Sequence, residues 1–217
     1  MGFVVAIDGP AASGKGTIAA RLGAMLDLPV LDTGLLYRAV GALVLRRGGD
    51  LGDEDDARGA ADAVDVALLA DDTLRGDEAA EAASRVAVHP AVRQALLAFQ
   101  RNFAAREPGA ILDGRDIGTV VVPEAPAKLF VTASAATRAR RRWSELAARG
   151  SESSYEAILA DIRRRDERDS DRAAAPLAAA PDAVLLDTTQ LTIDGAFDAA
   201  RRIVEAARAR WEQSLRA

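Results

Sequence analysis

At 217 residues the chain is long enough for one substantial core and short for two full domains. Its composition, 49% hydrophobic and 28% charged, is that of a soluble globular protein, no apolar run reaches the ~18 residues of a membrane span, and the lack of cysteine excludes disulfides and thiolate-bound metal. A net charge of −5 argues against a nucleic-acid polymer as partner, so bound phosphate would belong to a small anion held by local arginines in an acidic body.

The residues enter a strand at once, at Phe3-Val4-Val5-Ala6-Ile7, which leaves no room for a signal peptide and fits a cytoplasmic protein. The loop Gly9-Pro10-Ala11-Ala12-Ser13-Gly14-Lys15-Gly16-Thr17 follows, and Ile18 to Leu26 is a good helix former. Strand, glycine-rich turn and helix form the context in which G-x-x-x-x-G-K becomes a phosphate site. Glycines let backbone N–H groups converge on an anion, and the helix N-terminus adds partial positive charge. Lys15 is expected to reach the outer phosphates as a mobile point charge. Only two of the 28 basic residues are lysine, Lys15 and Lys128, so a lysine at this position is not a matter of composition. The hydroxyl comes one residue late, at Thr17 after Gly16, a form similar to the nucleoside monophosphate kinases rather than the switch GTPases.

Leu28–Leu31 reads as a second strand, with Thr33 as the N-cap of a helix over Leu35–Leu45. A short helix starts at Asp53, Val64–Leu69 is expected as a strand, and helices follow from Asp77 to Val86 and from Pro90 to about Ala105. His89 reads as a helix-start residue, and as the only histidine it makes a histidine metal site or triad untenable. Ala110–Leu112 is a third buried strand, ending in Asp113-Gly114-Arg115-Asp116, and Lys128–Thr132 is a fourth. Helices run from Ala135 to Arg149 and from Ser154 towards Asp171, separated by Gly150-Ser151-Glu152-Ser153. Ala183–Leu186 is a fifth strand and the last helix begins near Thr192. Trp143 and Trp211 read as packing residues. Short apolar strands alternating with helices predict an α/β protein, a parallel sheet covered on both faces, with ligands beyond the carboxyl ends of its strands. The phosphate loop, Asp32-Thr33-Gly34 and Asp113–Asp116 all fall at that edge.

Three runs carry a resemblance to a known family: Asp32-Thr33-Gly34 with Tyr37-Arg38; Asp113-Gly114-Arg115-Asp116-Ile117-Gly118-Thr119-Val120-Val121; and Arg165-Asp166-Glu167-Arg168-Asp169-Ser170-Asp171-Arg172 with Ala175-Pro176-Leu177. In this order, over almost the whole chain, they resemble the bacterial cytidylate kinases. The resemblance implies a P-loop three-layer α/β/α core with a five-stranded parallel sheet (1–32, 107–137 and 155–217). It also implies a monophosphate-binding subdomain (33–106) and a lid (138–154). Family members usually carry a small antiparallel sheet in the monophosphate subdomain; only about Val64–Leu74 remains for it, so a hairpin is expected to be trimmed.

The implied reaction moves the γ-phosphoryl of ATP, with Mg²⁺, to CMP or dCMP in a monomeric enzyme. The acceptor oxygen is already ionised at neutral pH, so no general base is required and catalysis is positioning and charge neutralisation. Lys15, Arg115, Arg138, Arg141 and Arg142 are the expected catalytic cations, and residues 9–17 the ATP loop. Arg138, Arg141 and Arg142 share a helical face and would reach ATP when the lid closes. The resemblance implies that Arg38 and Arg115 clamp the CMP phosphate. Ser84 and Arg93 would read cytosine, and Thr33 and Tyr37 line its pocket. Asp116 would touch base or sugar. Arg165 and Asp169 would hold the ribose hydroxyls, and Arg172 reach the monophosphate end or the base. Thr17 is the expected metal ligand; Asp113 either contacts Mg²⁺ through water or structures its loop. Arg140, Arg163, Arg164, Arg201, Arg202 and Arg208 read as solvated helix faces. Gly150 and its neighbouring serines are the expected give points of the lid. Two alternatives stand beside this reading: another acceptor such as UMP, AMP or a small alcohol, and an ATP-binding module without transfer. A guanine-type Asn-Lys-x-Asp run is absent from the sequence.

Overall fold

The computed structural model describes residues 2–148, 150–172 and 174–216. Five strands form one parallel sheet: β1 (Phe3–Asp8), β2 (Val30–Asp32), β3 (Gly109–Gly114), β4 (Ala127–Thr132) and β5 (Val184–Asp187), in the order β2-β3-β1-β4-β5. The central β1 is buried along its whole length, as a strand covered on both faces must be. Alternation still sorts its side chains. Val4 and Ala6 face one core with Leu36, Val40, Val86 and Leu96, whereas Phe3, Val5 and Ile7 face the other with Ile18, Leu22, Leu129 and Val204.

The second core is closed by α1 (Lys15–Leu26) and α8 (Ile193–Ser214). The first is closed by α2 (Thr33–Arg46), α3 (Glu54–Ala61), α4 (Asp77–Val86) and α5 (Pro90–Ala104), which make residues 33–106 a helical excursion between β2 and β3. A third, smaller cluster of Ala139, Leu146, Ile158 and Ile162 joins α6 (Ala135–Ala148) to α7 (Tyr155–Ser170). Arg149, the expected end of α6, lies outside the described residues. Among the described residues no helix is long and apolar enough to cross a membrane.

Two local expectations are corrected. Val64–Leu69 is not a strand: 3₁₀ turns occupy Val66–Ala70 and Asp72–Arg75. The Asp65 side chain accepts from the Ala67 N–H and Asp71 from the Thr73 N–H, each at 2.9 Å, and two aspartate-capped turns so close together leave no extended run. The trimmed hairpin is therefore no hairpin, and the described residues contain the parallel sheet alone. Nor does Thr33 cap α2. Asp32 does so by accepting from the Gly34 N–H at 2.9 Å, while the Thr33 hydroxyl donates to the Asp113 carbonyl at 2.8 Å and ties α2 to β3. His89 does stand at the N-cap of α5, before Pro90. Trp211 packs on Phe3 with ring centroids 5.3 Å apart, while Trp143 is more exposed than a packing residue should be.

Candidate active site

The carboxyl ends of β1, β2 and β3 open into a cleft of about 1600 Å³ between the sheet, α4, α6 and α7. A single small ligand rarely needs more than ~1,000 Å³, so this cleft has room for two.

One end is the phosphate loop. Gly9, at φ +145°, passes so close to β4 that a Cβ would lie 1.9 Å from the Val131 carbonyl oxygen; only glycine fits. Gly14, at φ +95°, is the N-cap of α1 and brings no side-chain cap, so the first N–H groups of α1 remain for an anion. Lys15 Nζ donates to the Pro10 carbonyl at 3.0 Å and lies 3.8 Å from Asp113 Oδ1. Burial and the nearby Arg115 lower Lys15 to about 8, against the pull of Asp113, while burial lifts Asp113 to about 6. The buried pair faces the cleft beside Thr17.

The other end is an arginine cluster. Arg38, Arg115, Arg142 and Arg165 line the same wall. Burial lowers Arg38 to about 10, and Arg165, Arg142 and Arg115 press it in the same direction against Asp32. Arg165 is lowered by burial and by Arg115; its Nε is buried without a hydrogen-bond partner, and none of its nitrogens pairs with a described carboxylate. Like charges gathered at one wall, one of them unpaired, are costly unless an anion is meant to complete them. Arg115 is held at 2.9 Å by Asp169, which also accepts from Arg172, and together the two arginines outweigh burial and lower the Asp169 carboxyl. Tyr37, Ser84, Arg93 and Asp116 line the same cleft. Arg93 is ion-paired to Asp116 and its guanidinium stands 5.6 Å from the Tyr37 ring centre.

Of the residues singled out from the sequence, Gly9, Pro10 and Arg138 do not line the cleft; all the others do. Arg138, expected to reach ATP when the lid closes, is in this structure a brace. It is buried, donates to the carbonyls of Ala133 (2.8 Å) and Ala11 (3.1 Å), and grips Asp166 at 3.0 and 2.5 Å. Shared helical spacing put it with Arg141 and Arg142, but its direction is set by α7, which a helical repeat does not reveal. Arg141 is also tied, to the Thr188 carbonyl at 2.7 Å and the Thr188 hydroxyl at 3.0 Å. Arg140 and Arg164 are exposed, as expected of solvated helix faces, and also contribute to the lining of the cleft.

Asp8 went unnoticed in the sequence, hidden at the end of an apolar strand. Its carboxylate accepts the amides of Ile117 and Gly118, each at 2.7 Å, and pins the loop after Arg115 and Asp116 to the strand that begins the phosphate loop. Burial raises it to about 6 in spite of those two hydrogen bonds.

The model of the family "Cytidylate kinase" matches residues 5–207. A cytidylate kinase of Xanthobacter autotrophicus is 63% identical over 95% of this chain and 99% of its own. One of Caulobacter sp. strain K31 is 60% identical over 97% and 98%. A solved structure of an uncharacterised Eubacterium ventriosum protein shares the fold alone, at TM-score 0.55 and 12% identity over 94% of this chain and 98% of that one. With the family pattern running through the strands, loop and arginine wall of this cleft, the chain belongs to the cytidylate kinase family.

Proposed function

We propose that the cleft transfers the γ-phosphoryl of ATP to CMP or dCMP. The observation that carries this reading is the pairing of two anion sites in one cavity, the open end of α1 and the wall of Arg38, Arg115, Arg142 and Arg165.

ATP lies along residues 9–17, its outer phosphates on the first-turn amides of α1 and on Lys15. In the described structure Lys15 rests on a carbonyl and a carboxylate, and it exchanges these for phosphate oxygens. CMP brings its phosphate to the arginine wall, its ribose to Arg165 and Asp169, and its base to Tyr37, Ser84, Arg93 and Asp116, with Thr33 and Arg172 at its edges. A phosphate oxygen of CMP attacks the γ-phosphorus, one O–P bond forms, and the bond to the β-phosphate oxygen breaks to release ADP. The attacking oxygen carries no proton at neutral pH, so no base is needed. Arg115, Arg141 and Arg142 neutralise the charge that spreads over the moving group.

Thr17 and Asp113 line the cleft together, a hydroxyl and a buried carboxylate, which is hard-oxygen chemistry suited to Mg²⁺ shared with nucleotide phosphates. Bound there, Mg²⁺ would draw charge from the β- and γ-phosphates.

In this reading 33–106 is the monophosphate-binding subdomain and 138–154 the lid, within a monomeric cytoplasmic enzyme. The test is coupled detection of ADP with Mg·ATP and CMP, dCMP, UMP or AMP in turn. A large preference for CMP and dCMP is expected. Preference for UMP or AMP would overturn the base assignment, and transfer to none of them would overturn the reading as a whole.

A further inference from the structure

Helix α4 turns a polar stripe towards the cleft. Asp77, Glu81 and Ser84 are spaced i, i+4 and i+7, which is one helical face, and all three line the cavity. Two arginines from across the cleft meet this stripe. Arg142 of α6 pairs with Asp77. Arg168 of α7 forks: Nη1 donates to the Ser84 hydroxyl at 2.7 Å and Nη2 to Glu81 Oε1 at 3.0 Å.

The fork has a chemical consequence. A serine inside a helix tends to turn its hydroxyl back onto the carbonyl four residues earlier. Here the only hydrogen bond described for the Ser84 side chain is the one from Arg168. Guanidinium is a donor and never an acceptor, so it takes one of the two lone pairs of the Ser84 oxygen and leaves the hydroxyl proton, which cannot point at Arg168, for a group in the cleft. Cytosine presents a bare ring nitrogen at position 3, an acceptor, where uracil presents N–H. A hydroxyl held as a donor favours the first and meets the second donor to donor.

We propose that Arg168 is a positioning residue for base selection: anchored on Glu81, it fixes the Ser84 hydroxyl as a donor to the pyrimidine and so sets the preference for CMP over UMP. Arg168 itself is not among the residues that line the cleft. The inference rests on the base lying against Ser84, as in the proposed function. The pair with Glu81 is half-exposed, with side-chain exposures of 27% and 42%, so its contribution to stability is small and selectivity is the informative readout.

The test compares kcat/KM for CMP and for UMP, with KM for ATP, in the full-length enzyme and in Ser84→Ala, Arg168→Met and the double variant. Losing one oriented hydrogen bond to the base lowers the CMP-to-UMP ratio about 10-fold or more. Arg168→Met is expected to lower the ratio to a similar degree with KM for ATP unchanged. Because Arg168 acts through Ser84, the double variant falls no further than Ser84→Ala alone. Should Arg168→Met not fold, Arg168→Lys decides on the same ratio, since an ammonium lacks the planar fork that spans both partners. A ratio that drops in Ser84→Ala but holds in the Arg168 variant, or single effects that multiply in the double variant, would overturn the role of Arg168 alone. A ratio unmoved by Ser84→Ala would overturn the placement of the base, and this inference with it.

Discussion

Arg165 shows most plainly how a side chain can be wrong for stability and right for chemistry. It has no carboxylate within ion-pair distance among the described residues, its Nε is buried without a partner, and Arg115 lowers it further. Arg138 is the opposite case, with every nitrogen of its guanidinium answered by protein oxygen. The first is poised for a ligand and the second for the fold. Arg165→Met is therefore expected to lower kcat/KM for CMP by on the order of 10²–10³ while leaving stability to denaturant unchanged or raised by about 1 kcal/mol. A variant that unfolds more easily and keeps its CMP kinetics would refute this account. Both arginines stand in family-like surroundings, so the sequence could mark them but could not sort them. What sorts them is whether a carboxylate on α7, Asp166, reaches back.

At the scale of elements, α6 is fastened to the phosphate loop by Arg138 and Arg141. Arg138 binds the Ala11 carbonyl, and Arg141 binds Thr188, whose hydroxyl contacts the Ser13 carbonyl at 3.1 Å. Removing Arg138 leaves the Asp166 carboxylate without its partner and two carbonyls without a donor. Arg138→Met is expected to cost about 2–4 kcal/mol in chemical denaturation, discounted because Asp166 is 28% exposed, and to raise KM for ATP more than KM for CMP. Equal stability of the variant and the parent would argue that the brace is idle. Strands and long helices were legible from apolar runs and caps, because those are local. The 3₁₀ turns at Val66–Ala70 and Asp72–Arg75 were not, since Val64–Leu69 is as apolar as a strand and only the aspartates at 65 and 71 betray the turns.

For the whole molecule, the two sides of the cleft touch at Arg142 with Asp77 and at Arg168 with Glu81 and Ser84. These contacts join α6 and α7, which face the phosphate loop, to α4 of the excursion. Gly150, at φ +81° with open space around it, lies in the turn between α6 and α7, where the proposed lid would shift. A site that must close over both substrates protects the γ-phosphoryl from water. ATP hydrolysis without CMP is accordingly expected to run far below transfer. ADP release at equal rates with and without CMP would sink the closure mechanism.

The strand–loop–helix that makes an anion site, the α/β architecture and the family are all legible in the order of residues, because each rests on residues adjacent in the chain or on a period within one element. That order also supplies the side chains of the arginine wall. Packing in three dimensions settles which arginines are spent on protein oxygens, that Asp8 pins the loop carrying Arg115 and Asp116, and that Arg168 reaches Ser84 across 84 residues. Those facts are distances between elements remote in sequence, fixed by how helices pack on the sheet, and no local pattern contains them.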